Sequence, residues 1–460
     1  MISRFAAFAA LLLAACASAQ APRVIEAGEP VTAFTGVTVI TEYGGERLDN
    51  HTVVVRGERI VAIAPDEAIE LRGETTIVSG EGRFLAPGIA DMHVHYGDPR
   101  VGPLFLANSI TTVRNPSGGE GVPELIAAIA AGERIGPRMY SSGQLMDGPG
   151  SFWGPQVVIE TIEGVRERVR QDAAAGYTAI KLYALLTPEQ FRAGVEEARA
   201  HDLQVYAHVP QSMTLDEVLA LRIDSIEHLD AFDRALGGEG PSSAQRWVSA
   251  NRDGYSALAE HVAESGVWQV PTLIVLLAPG RAFADIAAAD AAPHLRYADA
   301  GLLGFWHGYV ARAPEGTDFA ARYRVVEAGH ERRIEMLRAL HQANAPLLIG
   351  TDTPNPYVMY GFSIHEEFSF FRDAGFTNTE ILRIATLDAA RFLNAAGEFG
   401  VIREGARADM ILLGADPERD LGVLRAPAGV VAAGRWYDRD RLDGMLDDIE
   451  TQAQASRSAP

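Results

Sequence analysis

Cysteine is almost absent from this sequence, since Cys16 is the only one among 460 residues. An intrachain disulfide therefore cannot form, and a zinc site built from cysteine thiolates is excluded. Any metal that this chain binds must be held by histidine, aspartate, glutamate or a chemically altered lysine.

Basic residues are scarce relative to acidic ones. The chain has 40 Lys and Arg against 61 Asp and Glu, which gives a formal net charge of -21. Nucleic-acid binding depends on clustered lysine and arginine that neutralise phosphates, so this balance argues against a nucleic-acid partner. We expect the negative charge mainly to favour solubility.

Long apolar runs are missing except at the N-terminus. Arg4 precedes an apolar stretch of about ten residues, which is too short to cross a bilayer and is typical of a secretory signal peptide. We place this peptide at residues 1–20 and predict an exported, periplasmic protein. The sequence Leu13-Ala14-Ala15-Cys16 resembles a bacterial lipobox, which makes Cys16 a candidate lipid anchor. Ordinary cleavage after Ala19 is the alternative.

The period of the hydrophobic pattern divides the remaining chain into several regions. Apolar and polar positions alternate at 31–40 and 52–63, as in half-buried strands, and strand-like runs return near the C-terminus. We expect these two β-rich segments to form one small β-sandwich domain. The expected order is a β-rich segment, a longer mixed region, a second β-rich segment and a polar tail, at residues 21–84, 85–396, 397–447 and 448–460.

The mixed region contains eight strand candidates, and helical patterns lie between most of them. Eight alternating strands are the count of a (β/α)8 TIM barrel. A doubly wound sheet is the competing fold, but no Gly-x-Gly-x-x-Gly follows the first strand. We therefore predict an α/β fold with a TIM barrel and the β-sandwich. The strand candidates are 89–95, 109–114, 137–142, 178–183, 203–209, 224–229, 268–273 and 346–352.

Residues that can bind a metal recur where these strand candidates end. His93 and His95 are two positions apart, so on a strand both would face the same side and could hold one metal. Barrel enzymes place their chemistry at the C-terminal ends of the strands. The recurrence predicts a metal centre more strongly than any single residue does. Later strand ends carry Lys181, His208, His228 and Asp352.

The order His-x-His, Lys, His, His, Asp resembles that of the amidohydrolase superfamily. The similarity is greatest to its imidazolonepropionase-like and Xaa-Pro-dipeptidase-like branch, and it covers nearly the whole mature chain. Its motifs are specific for the superfamily and only suggestive of a substrate. The matching passages are residues 85–95, 225–229, 271–273, 350–352, 361–367 and 405–409.

The resemblance implies a site for two divalent metals, for which histidine and carboxylate ligands suit zinc best. His93 and His95 would bind the first metal, and His208 and His228 would bind the second. Asp352 would bind the first metal and accept a proton from the bridging water.

Lys181 would be carboxylated and would bridge the two metals, according to the same resemblance. A protonated lysine has no free lone pair for a metal, whereas its carbamate offers two anionic oxygens. The alternative is an unmodified Lys181 paired with Asp352 in a one-metal site.

Two further residues are candidates for contact with the reacting groups. Tyr183 should face the same side as Lys181 and could donate a hydrogen bond to a developing oxyanion, or only pack at the rim. His365 could contact the substrate or cap the following helix. Glu227 should point away from the barrel interior, because it precedes His228 on a strand.

The loop at residues 143–155 departs from some dipeptidase-like relatives, which have a Gly-Gly-His passage there. Phe152 and Trp153 could instead form an apolar wall for a bulky substrate group, or they could only pin the loop. This difference leaves the substrate preference open.

Hydrolysis of an amide bond in a dipeptide or N-acyl amino acid is the function that the resemblance favours, with metal-activated hydroxide as the nucleophile. We also expect a homo-oligomer. The enzymatic alternative is a hydrolase of lactones, carbamates or cyclic amides, and a non-catalytic binding lipoprotein is the alternative of another class.

Overall fold

The computed structural model describes residues 22–151 and 157–459. The predicted signal peptide, Cys16 and the expected wall of Phe152 and Trp153 lie outside the described residues. The strands, in chain order, are β1 Arg23–Ile40, β2 Arg47–Arg56, β3 Arg59–Pro65, β4 Ile69–Ser79, β5 Phe84–Pro87, β6 Ile89–Asp91, β7 Ile110–Asn115, β8 Arg138–Ser141, β9 Met146–Asp147, β10 Val157–Val158, β11 Ala179–Leu182, β12 Gln204–Ala207, β13 Ser225–Glu227, β14 Trp268–Val270, β15 Met410–Leu413, β16 Gly429–Ala432 and β17 Arg435–Asp438.

The two ends of the chain meet in a single eight-stranded sheet of order β17-β16-β15-β5-β1-β2-β3, with β4 paired to β1. Strand β5 pairs antiparallel with β15, where Pro87 is opposite Met410. Residues up to Pro87 therefore belong to this sheet, slightly beyond the boundary expected at residue 84. Buried side chains from both ends, including Phe34 and Leu412, share one cluster of the core.

The mixed region is built from parallel strands, as its hydrophobic patterning predicts. One sheet has the order β6-β7-β8, and another has the order β10-β9-β11-β12-β13-β14. Parallel bridges join Ser142 to Ala179, Gln269 to Leu347, and Val94 to Thr353. The parallel pairings therefore follow one another in a continuous circle that returns to β6.

The eighth strand candidate differs from the other seven. Residues 346–352 form no regular strand and are held by bridges and by single backbone hydrogen bonds, such as that from Met92 N to Ile349 O at 2.8 Å. This segment still lies between β14 and β6, and it carries Asp352 to the end of the sheet.

Helices follow most of the parallel strands, and several begin with a capping box in which a threonine or serine and a glutamine or glutamate satisfy each other's backbone N–H groups. A π-helical turn at Ile384–Asp388 joins the helices Asn378–Arg383 and Ala389–Phe392. The helices are α1 Gly102–Ala107, α2 Val122–Ala131, α3 Ile162–Ala174, α4 Pro188–Ala200, α5 Leu215–Ala220, α6 Phe232–Ala235, α7 Ser243–Ser249, α8 Tyr255–Ser265, α9 Leu273–Ala284, α10 Ile286–Asp290, α11 Ala300–Ala311, α12 Phe319–Gln342, α13 Ile364–Asp373, α14 Asn378–Arg383, α15 Ala389–Phe392 and α16 Arg439–Ser458.

The polar tail expected at 448–460 is instead largely the second half of helix α16. Leu442 and Ala453 of this helix are buried, which outweighs its polar composition. The helix is fixed beside α11, because Ser456 Oγ accepts a hydrogen bond from Ala300 N at 2.8 Å. None of the helices in the described part of the chain combines the length and apolar character that crossing a membrane requires.

Candidate metal centre and active site

Three ligand-type side chains converge where β6 and the 346–353 segment end. Asp352 Oδ1 lies 2.8 Å from His95 Nε2 and 3.4 Å from His93 Nε2. Among the described residues Asp352 Oδ1 has no hydrogen-bond partner, although it is buried. Metal ligands are arranged in this way, with their lone pairs directed at one point and without a hydrogen bond between them. The three residues therefore fit a metal.

The backbone is left-handed at two of the positions that carry ligand candidates. His228 has a φ of 64° and Asp352 a φ of 62°, both in the left-handed region that non-glycine residues rarely adopt. Such strain costs about 1–3 kcal/mol and is often found at functional sites. At Gly350 a Cβ atom would lie 2.7 Å from the backbone N of His93, so a glycine lets this segment approach β6.

Hydrogen bonds fix the tautomers of two histidines. His93 Nδ1 lies 2.6 Å from Glu227 Oε2. An ionised carboxylate can only accept a hydrogen bond, so His93 Nδ1 is the donor. The hydroxyl of Thr272 donates to Pro271 O at 2.9 Å and therefore accepts from His228 Nδ1 at 2.5 Å. Both rings consequently carry their proton on Nδ1 and direct an Nε2 lone pair toward the site.

Glu227 belongs to a fully buried network, so the prediction that it points away from the interior was wrong. Arg114 Nη2 donates to Glu227 Oε2 at 2.7 Å, and the Ser225 hydroxyl donates to Oε1 at 2.6 Å. Burial would raise the pKa of Glu227, but Arg114, Lys181 and His93 hold it well below its usual range. The strict alternation of a strand ends at His228, whose left-handed backbone turns its side chain toward the same site.

The remaining ligand candidates line the same cavity. The rings of His208 and His228 lie 4.7 Å apart between centroids, and those of His93 and His228 lie 4.9 Å apart. His208 Nδ1 lies 3.4 Å from Asp230 Oδ2. The structure thus places the four histidines and Asp352 around one cavity.

Lys181 is buried at the end of β11, and within the described residues its Nζ has no hydrogen-bond partner. Burial is the main cause that lowers the pKa of its ammonium group to about 8. The neutral amine is therefore more populated at Lys181 than at an exposed lysine. Only the neutral amine has the lone pair that reacts with carbon dioxide. The unsatisfied position of Nζ fits a lysine that carries a further polar group.

The cavity has a volume of about 380 Å³. Beside the ligand candidates it has apolar walls from Val122, Leu145 and Phe305, together with the polar side chains of Asn115 and Glu120. Tyr183 also lines it, with its ring 4.0 Å from that of His208 between centroids. Tyr183 therefore lies where it can contact a substrate group bound beside the metal centre.

His365 lies elsewhere, and its position does not support the predicted substrate contact. The ring is buried, its Nε2 lies 3.0 Å from Asn108 Oδ1, and it does not line the cavity. Burial lowers its pKa to about 3. The neighbouring Glu367 has a structural role, since its carboxylate accepts the backbone N–H groups of Leu273 and Ile274 at 2.9 and 2.8 Å.

Three residues that orient the ligands were not predicted in that role from the sequence. Thr272 and Glu227 lie inside passages that carry the family resemblance, which was the available signal for them. Arg114 had no such signal, because its contact with Glu227 joins residues that are 113 positions apart.

The comparisons with known proteins agree with this geometry. The model of the amidohydrolase family matches residues 84–437. The chain is 26% identical over 417 residues to an uncharacterized protein of Mycobacterium bovis, covering 81% of this chain and 93% of that one. It is 22% identical over 452 residues to the ochratoxinase of Aspergillus niger, covering 84% and 82%. The match to an adenine deaminase of Rubrobacter xylanophilus spans 142 residues, only 23% of that protein.

Among solved structures, bottromycin amidohydrolase superposes with a TM-score of 0.74 at 24% identity, covering 92% of this chain and 90% of that one. The chain belongs to the amidohydrolase family and has a TIM-barrel-like α/β fold, which confirms the resemblance inferred from its motifs. It is an enzyme of the kind that hydrolyses C–N bonds.

Proposed function

We propose that this chain is a metal-dependent hydrolase that cleaves the amide bond of a small molecule such as a dipeptide or an N-acyl amino acid. The observation that carries the proposal is the convergence of four histidines, Lys181 and Asp352 on one cavity. Family membership and the similarity to an ochratoxinase support it.

In this proposal the circle of parallel pairings is a closed (β/α)8 barrel, and the eight-stranded sheet folds over as a β-sandwich. The metal centre then lies at the C-terminal ends of the barrel strands, where barrel enzymes place their active sites. Loops and the helices between β14 and the last strand segment would form its walls.

His93, His95 and Asp352 would hold one metal, and His208 and His228 would hold a second. Carboxylated Lys181 would supply the anion between them. When bound, two divalent metals, of which zinc suits these ligands best, supply hydroxide at neutral pH by lowering the pKa of water to roughly 7, and they polarise a carbonyl.

The protein's own residues then move protons and orient groups. Burial would raise the pKa of Asp352, but His93, His95 and His228 hold it far below its usual range, so the carboxylate stays ionised. Asp352 can therefore accept a proton from the attacking water and deliver it to the leaving amine. Tyr183 has a hydroxyl that can donate to the oxyanion as the carbonyl becomes tetrahedral.

A lactone, carbamate or cyclic amide could be cleaved by the same groups, since each presents a carbonyl to the same nucleophile. A binding lipoprotein without catalysis is disfavoured, because binding alone does not require a buried lysine beside Asp352.

The test is metal analysis combined with a hydrolysis screen. Protein purified without chelator should contain about two metal equivalents, should carry a carboxylated Lys181 and should cleave at least one amide in a panel of dipeptides and N-acyl amino acids. One metal with an unmodified Lys181 would contradict the two-metal site. Turnover of esters but of no amide would favour the lactonase alternative.

Export, a lipid on Cys16 and homo-oligomer formation are further proposals, and the first two rest on the N-terminal sequence. Mass spectrometry of the native membrane fraction should find a mature N-terminus at a lipidated Cys16. A mature chain that begins at Gln20 would retain export and remove the lipid anchor. Light scattering of the purified enzyme would test the oligomer.

A further inference from the structure

Positively charged side chains are nearly absent from the walls of the catalytic cavity. Among the described residues that line it, Lys181 is the only lysine or arginine, and it is buried at the metal centre. Carboxylation would make even this residue anionic.

The adjoining cavity does not supply a cation either. It shares Phe305 with the catalytic cavity and contains Arg100. The guanidinium of Arg100 is already bound by Asp98 at 2.6 Å and by Asp299 at 3.1 Å. Outside the metal centre, a substrate carboxylate would therefore meet no unpaired cationic side chain among the described residues of these walls, and burying an anion without such a partner is costly.

Two histidines of the centre are also unable to donate a hydrogen bond to a substrate carboxylate. His93 and His228 already donate their Nδ1 protons to Glu227 and Thr272, so neither ring has a proton to give to a substrate carboxylate.

Hydrogen-bond acceptors are available on the wall formed by residues 115–120, which are the last residue of β7 and the loop after it. Asn115 lines the cavity and is 1% exposed, its Nδ2 donates to Tyr96 O at 3.1 Å, and its Oδ1 has no partner among the described residues. The carboxylate of Glu120 lies on the same wall and is exposed. A buried amide oxygen without a donor, together with a carboxylate, is complementary to an ammonium group.

We infer that the substrate of this site carries a free amino group next to the scissile amide and no free carboxylate. The class is that of aminoacyl amides and carboxyl-blocked dipeptides, in preference to N-acyl amino acids. This inference rests on the proposed amide hydrolysis and narrows it to one part of the substrates named there. The apolar side chains of Leu145 and Phe305 suit an apolar aminoacyl group.

Four compounds with the same scissile bond test the inference on the metal-loaded enzyme. They are phenylalanyl-alanine, its amide, N-acetyl-phenylalanyl-alanine and the amide of that compound. We expect phenylalanyl-alanine amide to have the highest kcat/KM, with about a tenfold loss for acetylating the amine and about a tenfold loss for freeing the carboxylate. N-acetyl-phenylalanyl-alanine should be the poorest.

Substitution of Glu120 tests whether this wall causes the preference for a free amine. Glu120→Gln should lower kcat/KM about tenfold for the two compounds with a free amine and leave the acetylated pair nearly unchanged. The matched control is Glu124→Gln, because Glu124 is exposed on α2 and does not line the cavity.

The outcomes separate the two proposals. A higher kcat/KM for the compounds with a free carboxylate, or equal effects of Glu120→Gln on free and acetylated amines, would overturn this inference and leave the amide hydrolase intact. Failure of the metal-loaded enzyme to cleave any of the four would count against both.

Discussion

The Nδ1 atom of His93 and the Oε2 atom of Glu227 lie 2.6 Å apart, and neither side chain is more than 2% exposed. The carboxylate also binds Arg114, so the orientation of the His93 ring depends on a buried ion pair. Partners of this kind fix the ring of a metal-binding histidine and raise its basicity.

Glu227→Gln should weaken metal binding about 10–100-fold, the range found when such partners are removed. The variant should also be less stable by about 3 kcal/mol, because Arg114 keeps its buried charge and loses its anionic partner. Competition with a chelator measures the first effect, and chemical denaturation of the metal-free protein measures the second.

Glu398→Gln is the matched control for this substitution. Glu398 pairs with Arg59 at 2.6 Å, but both side chains are more than 40% exposed, and such pairs are worth at most about 1 kcal/mol. If Glu227→Gln behaved like this control in both assays, Glu227 would have no role in orienting His93.

Asp352→Asn should abolish turnover while the fold survives. Asparagine keeps the shape and one acceptor oxygen but cannot take a proton at neutral pH, and general-base catalysis alone contributes about 10²–10⁴-fold. The rate should be measured with metal in excess, so that a weakened metal site is not mistaken for a missing base.

Asp388→Asn provides the comparison, because Asp388 pairs with the exposed Arg391 on the surface. It should retain wild-type activity. A metal-saturated Asp352→Asn variant with more than about a tenth of the wild-type rate would move the role of base to another residue.

Tyr183→Phe should lower kcat about 100-fold and change KM much less, since an oxyanion donor acts in the transition state. The phenyl ring can still pack against His208, so metal content should not change. Tyr323→Phe, which removes a hydroxyl from helix α12, controls for the loss of a tyrosine. A fall in kcat below about tenfold would leave Tyr183 as a packing residue only.

His330 should make the metal-free protein sensitive to acid. Its ring is buried against Phe370, and burial together with Arg333 and Arg281 lowers its pKa to about 4. The unfolded chain therefore binds the proton first as the pH falls. The contribution to stability is complete above pH 6.5 and is lost between there and pH 4, at about 1.4 kcal/mol per unit of pKa shift.

His330→Gln removes this titration, so its free energy of unfolding should fall less steeply than that of the wild type over the same range. Denaturant titrations at several pH values, with chelator present, measure the slopes. The exposed His261 offers the control His261→Gln. Parallel wild-type and His330→Gln curves would contradict the assignment.

Much of the fold can be predicted from hydrophobic periodicity because that pattern is local. The candidate at 203–209 contains β12, and that at 224–229 contains β13. The candidate at 346–352 is also apolar, yet it forms only isolated bridges, and it passes close to His93 at Gly350. Such an approach depends on tertiary contacts that no local pattern records.

The candidate site shows the same division. The two-residue spacing predicted that His93 and His95 face the same side, and the family resemblance implied that Asp352 joins them, as the structure shows. Glu227 was misjudged because the reasoning extended strand alternation through His228, where the backbone becomes left-handed. The substrate contact of His365 was predicted from its motif alone. The motif does not reveal that the Nε2 atom of His365 forms a hydrogen bond with Asn108 Oδ1.

The two sides of the cavity are held by different elements, and helix α16 supports only one of them. The metal ligands are carried by strand ends, whereas Phe305 is carried by α11, which α16 holds through Ser456 and Ala300. Proteins open in separate cooperative units, and a surface helix can detach at a lower free energy than core strands. On warming, detachment of α16 would free the Phe305 side of the cavity while the ligands stay in place. The enzyme would then become less discriminating before it became inactive.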